Sequence, residues 1–415
     1  MRLGLNLGYW VGGNDASQLV LAQLAEELGY SAVWVSEAYG SDAVTVLSWI
    51  AARTTRIDVG TAVLQIPARS PAMTAMTAAT LDTLSEGRVR LGLGISGPQV
   101  SEGWHGVRFA APLGRTREYV DLVRRALRRE PLAYEGAHFT LPLPDGPGKA
   151  LSLTIRPPRE HIPVYLAALG PKNLELAGEI ADGWLPVFFS PAHAGKQLQA
   201  LRAGLARSGR TLDGAGLAES GRTLGGAGPV RSGRTLDEAG PVRSGRTVGG
   251  AGPVRSGRTL DASDGPDRPG FDIAPSVPVV TGADWRACAR RVRGYAALYL
   301  GGMGGPDDNH YTLLAERMGF GTEARTVQER FLAGDYPGAM AAVPLEFLDA
   351  TSLLGPRERI AERMAQYAEA GVTTLNVMPV GPGMPGPDRA AQALRTAAEA
   401  AELTGLFALA PHHQR

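Results

Sequence analysis

Leu91-Gly-Leu-Gly-Ile-Ser-Gly-Pro-Gln-Val100 decides how this chain folds. It continues an apolar run that begins at Val89, and its glycines and Pro98 turn the end of a strand into a loop lined by backbone N–H groups. Ala168-Leu-Gly-Pro-Lys-Asn173 repeats the arrangement, with apolar residues, a Gly-Pro turn and a helical pattern from Asn173 to Glu179. Strands that open into glycine turns and helix starts present backbone donors at their carboxyl ends, where anionic ligand groups bind. Both segments read as parts of one ligand site.

Working outward from these exits, strands and helices alternate. Arg2 to Gly8 reads as a strand, and Leu19, Leu21, Leu24, Ala25 and Leu28 recur at helical spacing before Gly29. Strands follow at Ala32 to Ser36, Ile57 to Val63, Val89 to Leu93, Val164 to Ala168, Gly183 to Val187, Ile273 to Val280 and Thr373 to Met378, making eight in all. Helices are expected between them at Ala43 to Ala52, Ala72 to Leu84, Asn173 to Glu179, Ala192 to Ala206 and Trp285 to Leu300. Near-continuous apolar strands joined by crossover helices require a parallel sheet covered on its outer face, and eight such units close most economically into a (β/α)8 TIM barrel. An open doubly wound sheet is the alternative. The helical stretch at about 301–354 falls before the eighth strand and is expected to roof the pocket.

Composition narrows the class. The chain has 415 residues, a formal net charge of +1 and 44% hydrophobic residues, as a globular protein with a sizeable core does. No basic field for nucleic acid is present, and no apolar run reaches the roughly 18 residues of a membrane span. The lone Cys288 and the absence of Cys/His clusters speak against disulfides and metal, and point to a reducing cytoplasm.

Residues 208–267 break the order. Ser208-Gly-Arg-Thr-Leu returns at Ser220, Ser232, Ser244 (with Val) and Ser256, five copies at a period of 12. One apolar position per copy among many Gly and Pro residues is too little to bury against the ordering cost, so a disordered insertion is expected. It divides the barrel into 1–207, with strands one to six, and 268–415. Its regularly spaced Arg residues are diluted by acidic ones, which favours a neutral loop expansion over an acidic partner.

In a barrel the chemistry sits at the carboxyl ends of the strands. The first strand delivers Asn6, Tyr9 and Trp10, and the fourth is followed by Trp104 and His105. Asn6, Tyr9, Trp10 and Trp104 are taken as substrate-pocket residues. Glu37, a carboxylate at the end of an apolar strand, must find donors. Lys172 begins a helix, where a cation is disfavoured unless an anion is bound.

The string Leu84-Ser-Glu-Gly-Arg-Val-Arg-Leu-Gly-Leu-Gly-Ile-Ser-Gly-Pro-Gln-Val-Ser-Glu-Gly-Trp-His105 resembles the luciferase-like monooxygenase superfamily, and within it the oxidoreductases that use the deazaflavin coenzyme F420. Arg115-Thr-Arg-Glu-Tyr119 and Ala168 to Trp184 share that resemblance, which runs from Met1 to about Ala206 and resumes at Phe271, covering nearly everything except the repeats. It implies a barrel of the bacterial luciferase-like type, with the deazaflavin ring in its mouth and cofactor contacts falling on Glu37, Ala62, Val63, Ser96, Gly97, Gln99, Val100 and Trp184. It also implies a non-proline cis peptide at Ala62-Val63, and places the phosphate end on Gly170, Pro171, Lys172 and Asn173. Related enzymes carry an acid followed by His at the second strand's end; here Ala38 follows Glu37.

The activity implied is hydride transfer between coenzyme F420 and a small organic substrate, with Glu37 and His105 as the acid–base candidates and Glu102 behind them. An FMN-dependent monooxygenase and a non-catalytic deazaflavin-binding protein are the alternatives. No metal, nucleic acid or membrane partner is expected, and a homo-oligomer such as a dimer is.

Overall fold

The computed structural model describes residues 1–9, 16–212, 270–305, 309–380 and 386–407. Its parallel strands run around a ring: Arg2–Asn6, Ala32–Val35, Asp58–Thr61, Val89–Gly94, Val164–Leu166, Gly183–Trp184, then Asp272–Ile273 continued by Ser276–Thr281, and Thr374–Pro379. The first strand pairs with both the second and the eighth, Leu5 lying opposite Val33 on one side and Val377 on the other.

The seventh strand closes the ring in two halves. Asp272–Ile273 pairs with the sixth strand and Ser276–Thr281 with the eighth. Ala274-Pro275 lies between them, and a proline has no N–H to give to the ladder. The single run expected from Ile273 to Val280 is interrupted there, where the chain changes partner from the sixth strand to the eighth. The sixth strand is also shorter than expected, ending at Trp184, with one further bridge from Val187 to Ser276.

Helices follow each strand on the outside, including Ser17–Glu27, Ala43–Ala51, Pro71–Leu84, Pro112–Leu127, Pro171–Ile180 and Gly195–Arg207. Their ends obey local rules: Asp42 and Ser70 cap two of them through side-chain oxygens, and Gly87, at φ +81°, closes another by donating its N–H to the Asp82 carbonyl. Inside the ring Trp34 is fully buried edge-to-face against Tyr165. The facing position must be glycine, because a Cβ on Gly60 would lie 2.3 Å from the Trp34 ring.

A carboxylate ties the amino ends together. Asp272 accepts from Arg2, Arg90, Tyr165, Thr373 and Thr374, which stand on or beside four other strands.

Beyond the seventh strand the chain forms helix Trp285–Ala297, a π-helical turn at Leu298–Gly302, and four helices between His310 and Ala350. A short strand not foreseen from sequence, Leu353–Gly355, then pairs with the end of the seventh, and helix Arg357–Glu369 leads into the eighth. These helices build a second apolar core over the carboxyl ends, where Phe188 and Val280 of the barrel join Val327, Phe347 and Leu348. Among the described residues no helix is long and apolar enough to cross a membrane.

Of the repeat segment, Ser208–Leu212 is described and residues 213–269 lie outside the described ones. The first copy is bound to the barrel. Gly209, at φ +70°, ends helix Gly195–Arg207, and Arg210 donates to the carbonyls of Gly178, Glu179 and Ala181 at the end of the neighbouring helix. Its guanidinium also lies over the Phe271 ring. The boundary expected at residue 208 therefore falls inside a packed segment.

Candidate functional site

A cavity of about 1280 Å³ opens at the carboxyl ends of the strands, between the ring and the helical roof. The first strand contributes Asn6 and Tyr9, and the second Glu37, Ala38 and Tyr39. The third contributes Ala62, Val63 and Gln65, the fourth Gly94 to Val100 with Trp104, and the fifth Ala168 to Asn173. The roof adds Arg291, Tyr295, Leu298, Tyr299, Met303, His310 and Tyr311. The two glycine-rich exits that opened the sequence reading thus face one space. Trp10 lies outside the described residues.

The wall at the third and fourth strands is tightly fitted. The Ala62-Val63 peptide is cis, as the resemblance implied, and Val63 packs where a Cβ on Gly94 would lie 2.5 Å from its Cγ2. Gln65 organises the next layer: its Nε2 donates to the Ala38 carbonyl at 2.6 Å, and its Oε1 accepts from Ser96 Oγ at 3.1 Å. Ser96 holds φ +60°, a left-handed conformation uncommon outside glycine.

Two helices begin at the cavity, Pro98–Gly103 and Pro171–Ile180, both with a glycine N-cap that offers no side-chain acceptor and a proline at the first position. Their first-turn N–H groups are left for another acceptor. Lys172 stands at the second start, exposed and without an ion-pair partner among the described residues.

Residues 12–228 and 253–374 match the family described as luciferase-like monooxygenase. The chain belongs to the luciferase-like monooxygenase family. It is 37% identical over 382 residues to a Mycobacterium tuberculosis protein assigned by name to the coenzyme F420-dependent oxidoreductases, covering 91% of this chain and 94% of the relative. In fold this family member resembles the coenzyme F420-dependent tetrahydromethanopterin reductase of Methanopyrus kandleri, with a TM-score of 0.70, 21% identity and coverage of 96% and 97%. It also resembles an F420-dependent secondary alcohol dehydrogenase, with a TM-score of 0.65, 16% identity and coverage of 95% and 98%.

Within this luciferase-like monooxygenase fold the acid–base candidates are placed unequally. Glu37 lines the cavity, but its oxygens accept from Arg69 at 2.5 and 3.0 Å and from the Ala43 N–H at 3.1 Å. It is a tied carboxylate. His105 is not on the cavity wall; its Nε2 sits 3.3 Å from Gln65 Oε1, so it reaches the site through Gln65. Glu102 accepts from the Phe109 N–H near the surface.

Trp184 does not face the cavity. It is fully buried, and its indole N–H donates to the Ala168 carbonyl at 2.9 Å, which steadies the fifth strand's exit from behind. Ala62, Val63, Ser96, Gly97, Gln99, Val100, Gly170, Pro171, Lys172, Asn173, Asn6, Tyr9 and Trp104 all line it, Trp104 at a largely exposed rim.

The sequence reading missed Arg69 as the partner of Glu37, and Tyr295, Tyr299 and Tyr311 as roof residues. Arg291, Tyr295 and Leu298 fall on one face of the helix after the seventh strand by their three- and four-residue spacing, a pattern available in the sequence.

Proposed function

We propose that the chain is an oxidoreductase that moves a hydride between the deazaflavin coenzyme F420 and a small organic substrate. The observation that carries this is the full-length relationship to the Mycobacterium tuberculosis protein, whose name states F420 dependence.

The cavity residues fit such a coenzyme. A single small-molecule pocket commonly measures about 300–1,000 Å³, so the cavity of about 1280 Å³ has room for a coenzyme and a second molecule. At Gly170 a Cβ would meet nothing within 4 Å, and at Gly97 only the Gln99 Oε1 at 3.4 Å, so both turns leave open space in front of backbone donors. Gly170, Pro171, Lys172 and Asn173 would hold the phosphate-bearing tail. Ser96, Gly97, Gln99 and Val100 would lie along the ring and its side chain, with Ala62-Val63 behind it.

When bound, a 5-deazaflavin supplies hydride chemistry at carbon and does not readily activate oxygen. The chain itself orients the site. The Gln65 hydrogen bonds fix the Ser96 turn, and the helical roof lays aromatic and apolar side chains over the strand ends. His105 Nε2 lies 3.3 Å from Gln65 Oε1, an amide oxygen that accepts a hydrogen bond but not a proton, so His105 has no direct proton path to the cavity.

Parallel titration of the purified protein with oxidised coenzyme F420 and with FMN, followed by fluorescence, tests the reading. Tighter binding of the deazaflavin is expected. Equal or tighter FMN binding would replace it with a flavin oxygenase.

A further inference from the structure

The roof of the cavity has a chemistry that the coenzyme leaves unassigned. Tyr9 leaves the first strand, Tyr295 and Tyr299 come from the helix and π-turn after the seventh, and Tyr311 from helix His310–Arg317; all four line the cavity. Tyr299 stands edge-on to Tyr311 with ring centroids 4.9 Å apart, and tilted against Tyr295 at 4.8 Å. Phe188 packs against the same three rings at 5.4, 5.5 and 6.2 Å. The rings are held before any ligand arrives, so a flat molecule laid against their cavity face orders little that is not ordered already.

The hydroxyls add a polar point to a roof whose other polar side chains are Arg291 and His310. Tyr9 Oη and Tyr299 Oη lie 3.2 Å apart. Tyr295 also hydrogen-bonds Tyr299, so three phenols bring three protons and their two mutual bonds use two, which leaves one donor and spare lone pairs for a further oxygen. Burial pushes the Tyr9 and Tyr299 phenols above their ordinary value, so both keep their protons through the neutral range. Leu169, Val187, Leu298 and Met303 complete the wall, and the acidic side chain on the cavity, Glu37, is already tied to Arg69. Such a wall suits a flat apolar body with an oxygen function.

Resting on the reading that the coenzyme occupies the strand-exit wall, we infer that the tyrosine roof is a recognition site for a flat aromatic or polycyclic molecule bearing a carbonyl or hydroxyl oxygen, its rings against the cavity face of the tyrosines and its oxygen on the Tyr9–Tyr299 pair. These tyrosines are specificity-determining residues for the second molecule of the cavity.

The test uses the full chain, with and without saturating coenzyme F420, and three probes measured by calorimetry: 2-naphthol, naphthalene and cyclohexanol. 2-Naphthol is expected to bind at least about tenfold more tightly than cyclohexanol. Tyr299→Phe and Tyr9→Phe should each weaken 2-naphthol by about three- to tenfold, as loss of a neutral hydrogen bond does, and leave naphthalene unchanged. If Tyr299→Phe fails to fold, Tyr9→Phe tests the same bond from the barrel side. 2-Naphthol binding no tighter than cyclohexanol, or insensitive to both changes, overturns the inference. Coenzyme absorbance followed in the same samples separates the two readings: no coenzyme binding alongside the expected naphthol pattern overturns the F420 assignment and supports the roof site, and coenzyme binding without that pattern overturns the roof site alone.

Discussion

Arg69 lays its guanidinium across both oxygens of Glu37, Nη1 2.5 Å from Oε1 and Nη2 3.0 Å from Oε2, while Nη2 also reaches Asp42 at 2.5 Å. The Glu37 side chain is 8% exposed and that of Arg69 17%. The second strand's exit is therefore braced by a partly buried ion pair shared with the cap of the next helix.

Removing one partner of such a pair strands the other. Arg69→Met is expected to cost about 3–5 kcal/mol of stability, the range for breaking a buried pair. Glu37→Gln, which keeps the shape and one acceptor, should cost less. Urea unfolding of both variants measures the difference, and an Arg69→Met protein as stable as the parent would show that solvent replaces the pair.

Lys172→Ala should weaken coenzyme F420 binding by a factor corresponding to about 1.5–3 kcal/mol, the usual worth of a hydrogen bond to a charged group. The fold should be untouched, since Lys172 has no ion-pair partner among the described residues. An unchanged dissociation constant takes Lys172 out of the site.

His105→Ala separates a proton donor from a supporting residue. A general acid or base commonly contributes about 10²–10⁴-fold. Because His105 meets the cavity only through Gln65, turnover with an identified substrate should fall by less than about tenfold. A loss of a hundredfold or more, with unaltered coenzyme binding, would return the acid–base role to His105.

The first repeat copy gives two deletions with different outcomes. Excising residues 208–255 joins Arg207 to Ser256 and regenerates Arg-Ser-Gly-Arg-Thr-Leu-Asp, the sequence of residues 207–213. This variant should melt within a few degrees of the parent, since loop length costs only about 0.6 kcal/mol per doubling. Excising residues 208–267 removes the Arg210 contacts as well and should melt measurably lower. Equal melting of the two would show that those contacts contribute nothing.

Stability should fall on acidification through two buried carboxylates. Burial pushes Asp182 and Asp272 upward, but Arg124, His161 and the Val164 N–H outweigh it at Asp182, and Arg2, Arg90, Thr373 and Thr374 at Asp272, so both are held below the ordinary range. Their native forms take up protons at lower pH than the unfolded chain does. Stability is then complete above the unfolded carboxyl value of about 4 and is lost as pH falls below it toward the native values. Asp182→Asn should flatten that acid limb in unfolding curves measured across pH 5 to 2.5, and parallel limbs would exclude Asp182 as a contributor.

Much of this was legible because it is local. The Gly-Ile-Ser-Gly-Pro turn after Leu93 and the Gly-Pro-Lys turn after Leu169 are written in consecutive residues, and both open onto the cavity. Trp184 shows where local reading fails: an aromatic next to a site motif looks the same whether its indole faces the ligand or the core, and only packing against Ala168 decides it. The Glu37–Arg69 and Tyr9–Tyr299 pairs join residues 32 and 290 positions apart, so no spacing announces them. Arg210 was hidden differently, since a Gly- and Pro-rich repeat gives no sign that its first copy completes a helix end.

The barrel has a fixed post on either side of the tandem units. Arg210 holds the departing chain to the end of helix Pro171–Ile180, and Asp272, soon after the repeats end, locks the returning chain to the amino ends of four other strands. The in-phase period of 12 keeps the first post intact whichever copy comes to occupy it. Adding or removing whole copies therefore leaves the residues at both posts unchanged in sequence, and with them the two anchors that hold the chain to the barrel.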